Sequence, residues 1–380
     1  MRIGDRLSSL RHLPTPCFLV DLPTVERNTR IMREKAFRSG VRLRPHVKTH
    51  KTVEGARVQL GAASGPITVS TMAEAEFFAA ADFRDVTYAV PIAADKFQRA
   101  LALASRIDHL GLLVEGEESF SALESFAMSQ RARFEVFLKI DCGYHRAGVD
   151  PESEETMRLI QRITQSEGVV FKGLLTHAGH SYHAHNREEL LVTAREEVRS
   201  VAELSRRMKA GGLPDVITSI GSTPTMSVSD TIDNVDEIRP GNYIFFDAFQ
   251  AAIGSCAIDD CGVSVLTSVI GKNELQGKLL IDAGALALSK DRGADHLSPD
   301  FSYGLVADLD LGLLPFRITA LSQEHGILIA PEGFDLSRFP VGAKLRVLPN
   351  HSCLTAAMFD VYHVIGGGEV VAEWRPCRGW

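Results

Sequence analysis

RLRPHV (42–47) runs directly into KTHKTVEGARVQL (48–60), so a short extended run gives way to a helical period with a lysine at the junction. A strand followed at once by a helix is one βα unit, and this chain repeats it. ITVST (67–71) leads into MAEAEFFAAA, and VTYAVPI (86–92) leads into ADKFQRALALA. HLGLLVEG (109–116), FEVFLKID (134–141), FKGLLTHA (171–178) and DVITSIGS (215–222) each open a further unit. Upstream, CFLVDL (17–22) precedes a helix beginning near Thr24, and downstream YIFFD (243–247) closes the series. Nine runs with helices between them predict an α/β fold, a (β/α)8 barrel of the TIM type, with one boundary misplaced or one strand outside the barrel.

Beyond about Ala248 the helical period fades. CGVSVLTSVIG, GKLLIDAG, GILIA, AKLRVLP and DVYHVIGGGEVVAEW, broken by Gly and Pro, have the texture of an antiparallel β-domain. The expected organisation is a barrel over 17–247 and a β-domain over 248–380, with residues 1–16 joining the latter. No internal repeat or long linker separates them.

Composition narrows the function classes. The chain has 380 residues, 45% hydrophobic and 23% charged, which is ample for a large core. A net charge of −7 argues against nucleic acid or an anionic membrane as partner, since both require concentrated basic surface. No run of ~20 apolar residues occurs, so a cytoplasmic location is expected. Six cysteines, Cys17, Cys142, Cys256, Cys261, Cys353 and Cys377, are too sparse to staple a fold and are expected to be reduced thiols. CAIDDC (256–261) resembles half of a metal site, but no partner pair follows at finger-like spacing.

In a parallel barrel the active site lies at the C-terminal ends of the strands, so the residues after each run carry the chemistry. Lys48 is the first, among Arg44, His46 and His50. A lysine at a strand end can be partly desolvated, which would free its amine as a Schiff-base nucleophile and proton carrier. SIGSTPT (219–225) is a small-residue turn in which Gly221, Ser222 and Thr223 can ring an anion as the next helix begins. RPGNY (239–243) adds the Gly241 amide and the Tyr243 hydroxyl, so one phosphate can be held by both loops. A lysine with a local phosphate cradle is what pyridoxal 5'-phosphate (PLP) requires. Further along, HRAG places His145 and Arg146 at a strand end, and THAGHSYH places His177, His180 and Tyr182 at the next. Finally PNHSC (349–353) sets His351 and Cys353 two apart, where on an extended strand they would share a face and one metal ion with open positions left for substrate.

Taken in order, RPHVKTHK, HRAG, THAG, SIGSTPT, RPGNY, QEHG (323–326), PNHSC and the final RGW resemble the D-threonine aldolase and D-serine dehydratase family. These are fold type III PLP enzymes related to alanine racemase, and the resemblance covers nearly the whole chain. It implies Lys48 as the PLP lysine, with phosphate contacts from Gly221, Ser222, Thr223, Gly241 and Tyr243. Arg146, His177 and Tyr182 would lie around the cofactor, and His351 and Cys353 would ligate a divalent metal, with zinc favoured by ligand softness and manganese or magnesium as alternatives. SKDRG (289–293), FSYG (301–304) and the C-terminal motifs look nearer to dehydratases acting on D-serine or D-threo-3-hydroxyaspartate than to the aldolases. The implied reaction converts a β-hydroxy-D-amino acid, such as D-serine or D-threonine, to a 2-oxo acid and ammonia. Lys48 would take the Cα proton while the metal assists departure of the β-hydroxyl. An aldolase would use the same groups to release glycine and an aldehyde. A non-catalytic PLP-binding homeostasis protein would keep Lys48 but have no use for the metal pair. The family also implies a homodimer.

Overall fold

The computed structural model describes residues 8–298 and 302–380, so residues 1–7 and Phe301 of the FSYG motif lie outside the described residues. The chain forms two compact units. One is Thr29–Gly241 with Cys377–Trp380, and the other is Asn242–Pro376 with the chain through Asn28.

The first unit is built on eight parallel strands: Arg42–Leu43, Ile67–Val69, Asp85–Pro91, His109–Val114, Phe134–Lys139, Val169–Leu175, Ile217–Ile220 and Glu237–Ile238. From Ile67–Val69 onward each pairs with its neighbour in the chain, and the first pairs with the last through Arg42 against Glu237. The sheet closes because the segment after Leu43 stays extended, pairing His46 with Thr68, whose N–H donates to the Pro45 carbonyl at 2.9 Å. Helices start where the sequence supplies a cap. Thr52 accepts from Gly55 N–H ahead of helix Val53–Leu60, and Thr71 accepts from Glu74 N–H ahead of Met72–Ala80. Ser153 and Asn186 do the same for Glu154–Gln165 and Arg187–Ala210.

The barrel interior is not wholly apolar. Arg44 bonds Glu237 at 2.6 Å and Asp85 at 2.6 Å, Ser219 donates to Glu237 at 2.7 Å, and Arg239 Nε donates to Ser219 at 2.7 Å. Burial lowers the Arg239 pKa to about 10. Removing one member of such a network would strand its partners, a loss of about 3–5 kcal/mol. The last four residues return to this unit: Cys377 N–H donates to the Lys51 carbonyl at 2.8 Å, and Arg99 reaches the Trp380 oxygen.

The second unit holds a nine-stranded sheet. Val263–Asn273 is long enough to carry two partners along one edge, Cys17–Asp21 at Val263–Leu266 and Lys278–Ile281 at Val269–Asn273. Its other edge pairs with Lys344–Leu348. The run then continues through Leu305–Ala307, Leu313–Leu321 and Gly326–Ile329 back to Lys278–Ile281, which closes an antiparallel ring of six. Cys17–Asp21, Tyr362–Gly366 and Glu369–Trp374 extend it on one side.

Three expectations are corrected. CFLVDL does not open the barrel, because Cys17–Asp21 pairs antiparallel with Val263–Leu266 and parallel with Tyr362–Ile365. YIFFD is not a strand. Asn242–Ile244 forms a 3-10 turn, with the Phe245 and Phe246 N–H groups both donating to the Asn242 carbonyl, and the apolar run reflects burial on every side. The eighth barrel strand is instead Glu237–Ile238, and the division falls after Gly241 rather than after Asp247. All six cysteines are free thiols, and among the described residues no helix is long and apolar enough to cross a membrane.

Candidate active site

Lys48 stands on a single 3-10 turn, Val47–Thr49, at the C-terminal end of the first barrel strand. Its side chain is exposed while those of Val47, Thr49 and His50 are buried. The turn lifts residue 48 off the strand end as its neighbours turn inward. His46 caps the turn, with Nδ1 accepting the Lys48 N–H at 3.4 Å, which leaves the proton on Nε2, 3.3 Å from the Ser70 hydroxyl. Burial, reinforced by Lys48 and Arg239, holds the His46 pKa well below the ordinary histidine value. The ring is therefore neutral.

His50 anchors the turn from below. Its Nδ1 accepts the Thr52 N–H at 3.0 Å, so the proton sits on Nε2, which donates to Gln59 Oε1 at 2.9 Å. Gln59 in turn donates to the Gly241 carbonyl at 3.4 Å. The lysine turn and the 239–241 segment are thus joined through two side chains. They also touch directly, because a Cβ on Gly241 would lie 2.8 Å from the His46 carbonyl.

After strand Ile217–Ile220, two strands from the lysine turn, Ser222 caps the short helix Thr223–Val228. Gly221 takes φ +146°, and a Cβ there would lie 2.7 Å from the Arg239 nitrogen, so only glycine lets the turn close against the neighbouring strand end. Gly241 N–H donates to Thr223 Oγ1 at 3.3 Å, which brings the two expected phosphate loops together. Gly221, Ser222, Thr223 and Gly241 therefore meet in one unit, whereas Tyr243 falls in the other. The Gly221 carbonyl accepts from His177 Nδ1. Loss of solvent, with Lys48 and Lys139 nearby, keeps the His177 pKa well below the ordinary value. His177 is thus neutral, with the proton on Nδ1 and an unprotonated Nε2.

The remaining strand-end residues divide. The Arg146 guanidinium lies 5.0 Å from the centre of the Tyr144 ring, Tyr144 packs at 6.2 Å from His180, and a Cβ on Gly179 would strike Tyr144 at 2.1 Å. The 143–148 loop and the 179–183 turn that carries Tyr182 are therefore packed together. His145 turns away to Asp141, Nδ1 to Oδ2 at 2.8 Å, and is exposed. His180 Nδ1 is buried with no hydrogen-bond partner among the described residues. A lysine amine, two neutral imidazoles, an orphaned ring nitrogen and a hydroxyl-lined turn suit an aldehyde cofactor bearing a phosphate.

In the second unit, His351 is extended (φ −134°, ψ 98°) and precedes helix Ser352–Ala356, whose first turn carries Cys353. The shared strand face expected from the i, i+2 spacing is thus absent. The two side chains meet because the chain bends between them, and the imidazole and thiol are hydrogen-bonded. His351 Nδ1 bonds Asp291 Oδ2 at 2.9 Å, and Asn242 Nδ2 lies 3.7 Å from Cys353 Sγ. Asp247, whose pKa burial raises above the ordinary carboxyl value, accepts from Ser352 N–H at 2.9 Å and from Asn242 at 2.9 Å, which fixes this segment. Burial opposes protonation of His351, but Asp291, Cys353 and Asp247 outweigh it and raise the pKa well above the ordinary value. This surrounding stabilises positive charge, and a carboxylate on Nδ1 leaves Nε2 to face an ion, so the donor set fits a divalent metal. Among the described residues no group of three His, Cys, Asp or Glu forms a fuller cage.

Four residues in these sites were not singled out from the sequence: Glu197, Lys139, Asp291 and Arg239. Lys139 ends strand Phe134–Lys139, and burial lowers its pKa to about 8. Asp291 lies in SKDRG, a motif noted for resemblance but given no role. Glu197 alone carried a legible signal, as an acid on the inward face of a helix.

A lysine at a strand end of a closed parallel barrel, joined in one chain to an antiparallel β-ring, defines an alanine racemase-like protein. Residues 20–248 match the alanine racemase N-terminal domain, and residues 262–365 match the putative serine dehydratase domain. The chain belongs to the D-serine dehydratase and D-threonine aldolase family of these PLP enzymes. It is 40% identical over 377 residues to a D-threo-3-hydroxyaspartate dehydratase of Delftia sp. (strain HT23), covering 98% of this chain and 99% of that one. It is 39% identical to a D-serine dehydratase of Dictyostelium discoideum, with 100% of both chains covered. The solved structure of a D-threo-3-hydroxyaspartate dehydratase cysteine-to-alanine mutant in the metal-free form matches with a TM-score of 0.92 at 39% identity, over 98% of this chain and 100% of that one. A D-threonine aldolase of Arthrobacter sp. is more distant, at 27% identity over 99% of this chain and 95% of that one.

Proposed function

We propose that this protein is a PLP- and divalent-metal-dependent dehydratase that converts a β-hydroxy-D-amino acid, of the D-serine, D-threonine or D-threo-3-hydroxyaspartate type, to a 2-oxo acid and ammonia. The observation that carries it is Lys48 lifted from a barrel strand end beside the neutral imidazoles of His46 and His177. Full-length identity near 40% to two dehydratases supports this outcome over aldol cleavage.

PLP, when bound, supplies an electron sink that makes the Cα–H of an attached amino acid acidic. Lys48 would hold the cofactor, and its amine, when free, would take the Cα proton at Nζ. Ser222 and Thr223, with the backbone of Gly221 and Gly241, would grip the phosphate. Arg146, His177 and Tyr182 orient the ring. With their pKa values held well below the ordinary histidine value, His46 and His177 are weak bases and do not compete with Lys48 for the Cα proton. His351 and Cys353 would hold the divalent ion, whose chemistry is Lewis-acid assistance to a leaving β-hydroxyl. Zinc fits imidazole plus thiolate best, and the metal-free form recorded for a cysteine mutant of a close relative supports a cysteine ligand. We further propose a cytoplasmic location and a homodimer, the latter as the family resemblance implies.

The test is to incubate the purified protein with PLP, zinc and a panel of D- and L-β-hydroxy amino acids, assaying 2-oxo acid against glycine plus aldehyde. Production of 2-oxo acid and ammonia from D-isomers supports the reading. Glycine as the main product would replace it with the aldolase.

A further inference from the structure

Glu197 lies midway along helix Arg187–Ala210, on the face where Leu190, Ala194, Val201, Leu204 and Met208 are buried. It is itself 0% exposed. Desolvating a carboxylate costs several kcal/mol, and an apolar side chain at this position would avoid that cost. What the carboxylate adds is direction. Oε1 accepts the Ala178 N–H at 2.8 Å and the Gly221 N–H at 3.1 Å, while Oε2 accepts from the Thr225 hydroxyl at 2.8 Å. Thr225 Oγ1 lies 2.9 Å from Ser222 Oγ, which lies 3.1 Å from Ser181 Oγ. One side chain on an outer helix thus fixes the loops after two neighbouring barrel strands.

We propose that Glu197 is a positioning residue for the cofactor phosphate, acting from behind through the 219–225 turn. The inference rests on the reading of that turn as the phosphate grip. Gly221 is held at both ends, its N–H by Glu197 and its carbonyl by His177 Nδ1, in a φ +146° conformation. With both ends fixed, the peptide leading into Ser222 and Thr223 has one orientation. Without Glu197, the buried Ala178 and Gly221 amides lose their acceptor, and the turn can rotate to satisfy them at the expense of its grip on phosphate.

The experiment compares binding of PLP and of pyridoxal, which lacks the phosphate, to the wild-type chain, Glu197→Leu and Glu197→Gln, by absorbance titration. Glu197→Leu is expected to lower the preference for PLP over pyridoxal by about tenfold or more, equivalent to losing at least one charge-assisted hydrogen bond, with pyridoxal affinity little changed. Glu197→Gln is expected to keep most of that preference, since its Oε1 accepts both amides and its Nε2 donates to Thr225. An unchanged preference in Glu197→Leu, or an equal loss of PLP and pyridoxal, overturns the inference. If Glu197→Leu does not fold, Thr225→Val decides: it should lower the preference by about threefold, and no change overturns the proposal. Failure of the wild-type chain to bind PLP would instead overturn the proposed function itself.

Discussion

Acidification should loosen the lysine turn through His50, and the size of the effect follows from its burial. His50 is 0% exposed, and its two ring nitrogens are committed to Thr52 and Gln59 in the neutral form. Burial lowers its pKa from 6.5 to about 4. Above pH 6.5 the ring is neutral whether the chain is folded or not, so its contribution is fully present. Below that the unfolded chain binds a proton that the folded chain refuses, and stability falls until the folded ring protonates near pH 4. At about 1.4 kcal/mol per pH unit, the span between those two values amounts to about 3.5 kcal/mol. Urea unfolding of the wild-type chain and His50→Asn, followed by circular dichroism from pH 7 to pH 4.5, isolates this group because every other titrating residue is common to both. The wild-type chain should lose about 2–3 kcal/mol more than the variant across that range. Parallel pH profiles would mean that His50 does not remain neutral in the fold, and the account of the turn would fail.

Borohydride should bleach a yellow holoenzyme and leave the reduced cofactor on Lys48, and Lys48→Ala should lose the covalent adduct; a peptide map placing it on Lys51 would refute the assignment. Removing metal with EDTA, or the substitution Cys353→Ala, should leave PLP bound with its spectrum unchanged while turnover falls by roughly a thousandfold or more. A Cys353→Ala enzyme with normal elimination would refute the metal role. Gly221→Ala places a Cβ 2.7 Å from the Arg239 nitrogen; it should weaken PLP retention on dialysis, and wild-type retention would show that the turn has more room than described. Light scattering of the active protein should report a dimer mass.

The barrel was readable because its strands, though short, end in Lys, His, Arg and small residues placed just where a parallel sheet presents its C-terminal edge. The first and last runs misled for different reasons. Cys17–Asp21 is followed by a helix, Leu22–Ser39, and so looks like a βα unit, while the pairing that removes it from the barrel comes from residues near 264 and 363. Glu237–Ile238 is two residues long and leaves no periodic trace. Leu305–Ala307 and Leu313–Leu321 also went unnoticed, although the alternating exposure of Leu313–Leu321 follows the two-residue period of an edge-like strand. Lys48 and the His351–Cys353 pair stood out by type and position, but residue type and spacing left their roles open, and the family resemblance implied them. Asp291 did not stand out, since it meets His351 only through folding across 60 positions. Glu197 could have been found, because buried positions 190, 194, 197, 201, 204 and 208 follow a heptad and only one of them is acidic.

The strand Cys17–Asp21 has a consequence for how the chain is made. It is synthesised more than 240 residues before its neighbours in the sheet, Val263–Leu266 and Tyr362–Ile365. Synthesis proceeds from the N-terminus at roughly 5–20 residues per second, so the strand must wait many seconds, unpaired and apolar, while the whole of the barrel unit emerges and can fold. The β-unit is therefore a late assembly of very high sequence separation, and its rate is set by closure of a loop containing an entire folded barrel. A chaperone that holds this strand while the later residues emerge would protect it, and the yield of folded protein should depend more on that interval than on the stability of either unit.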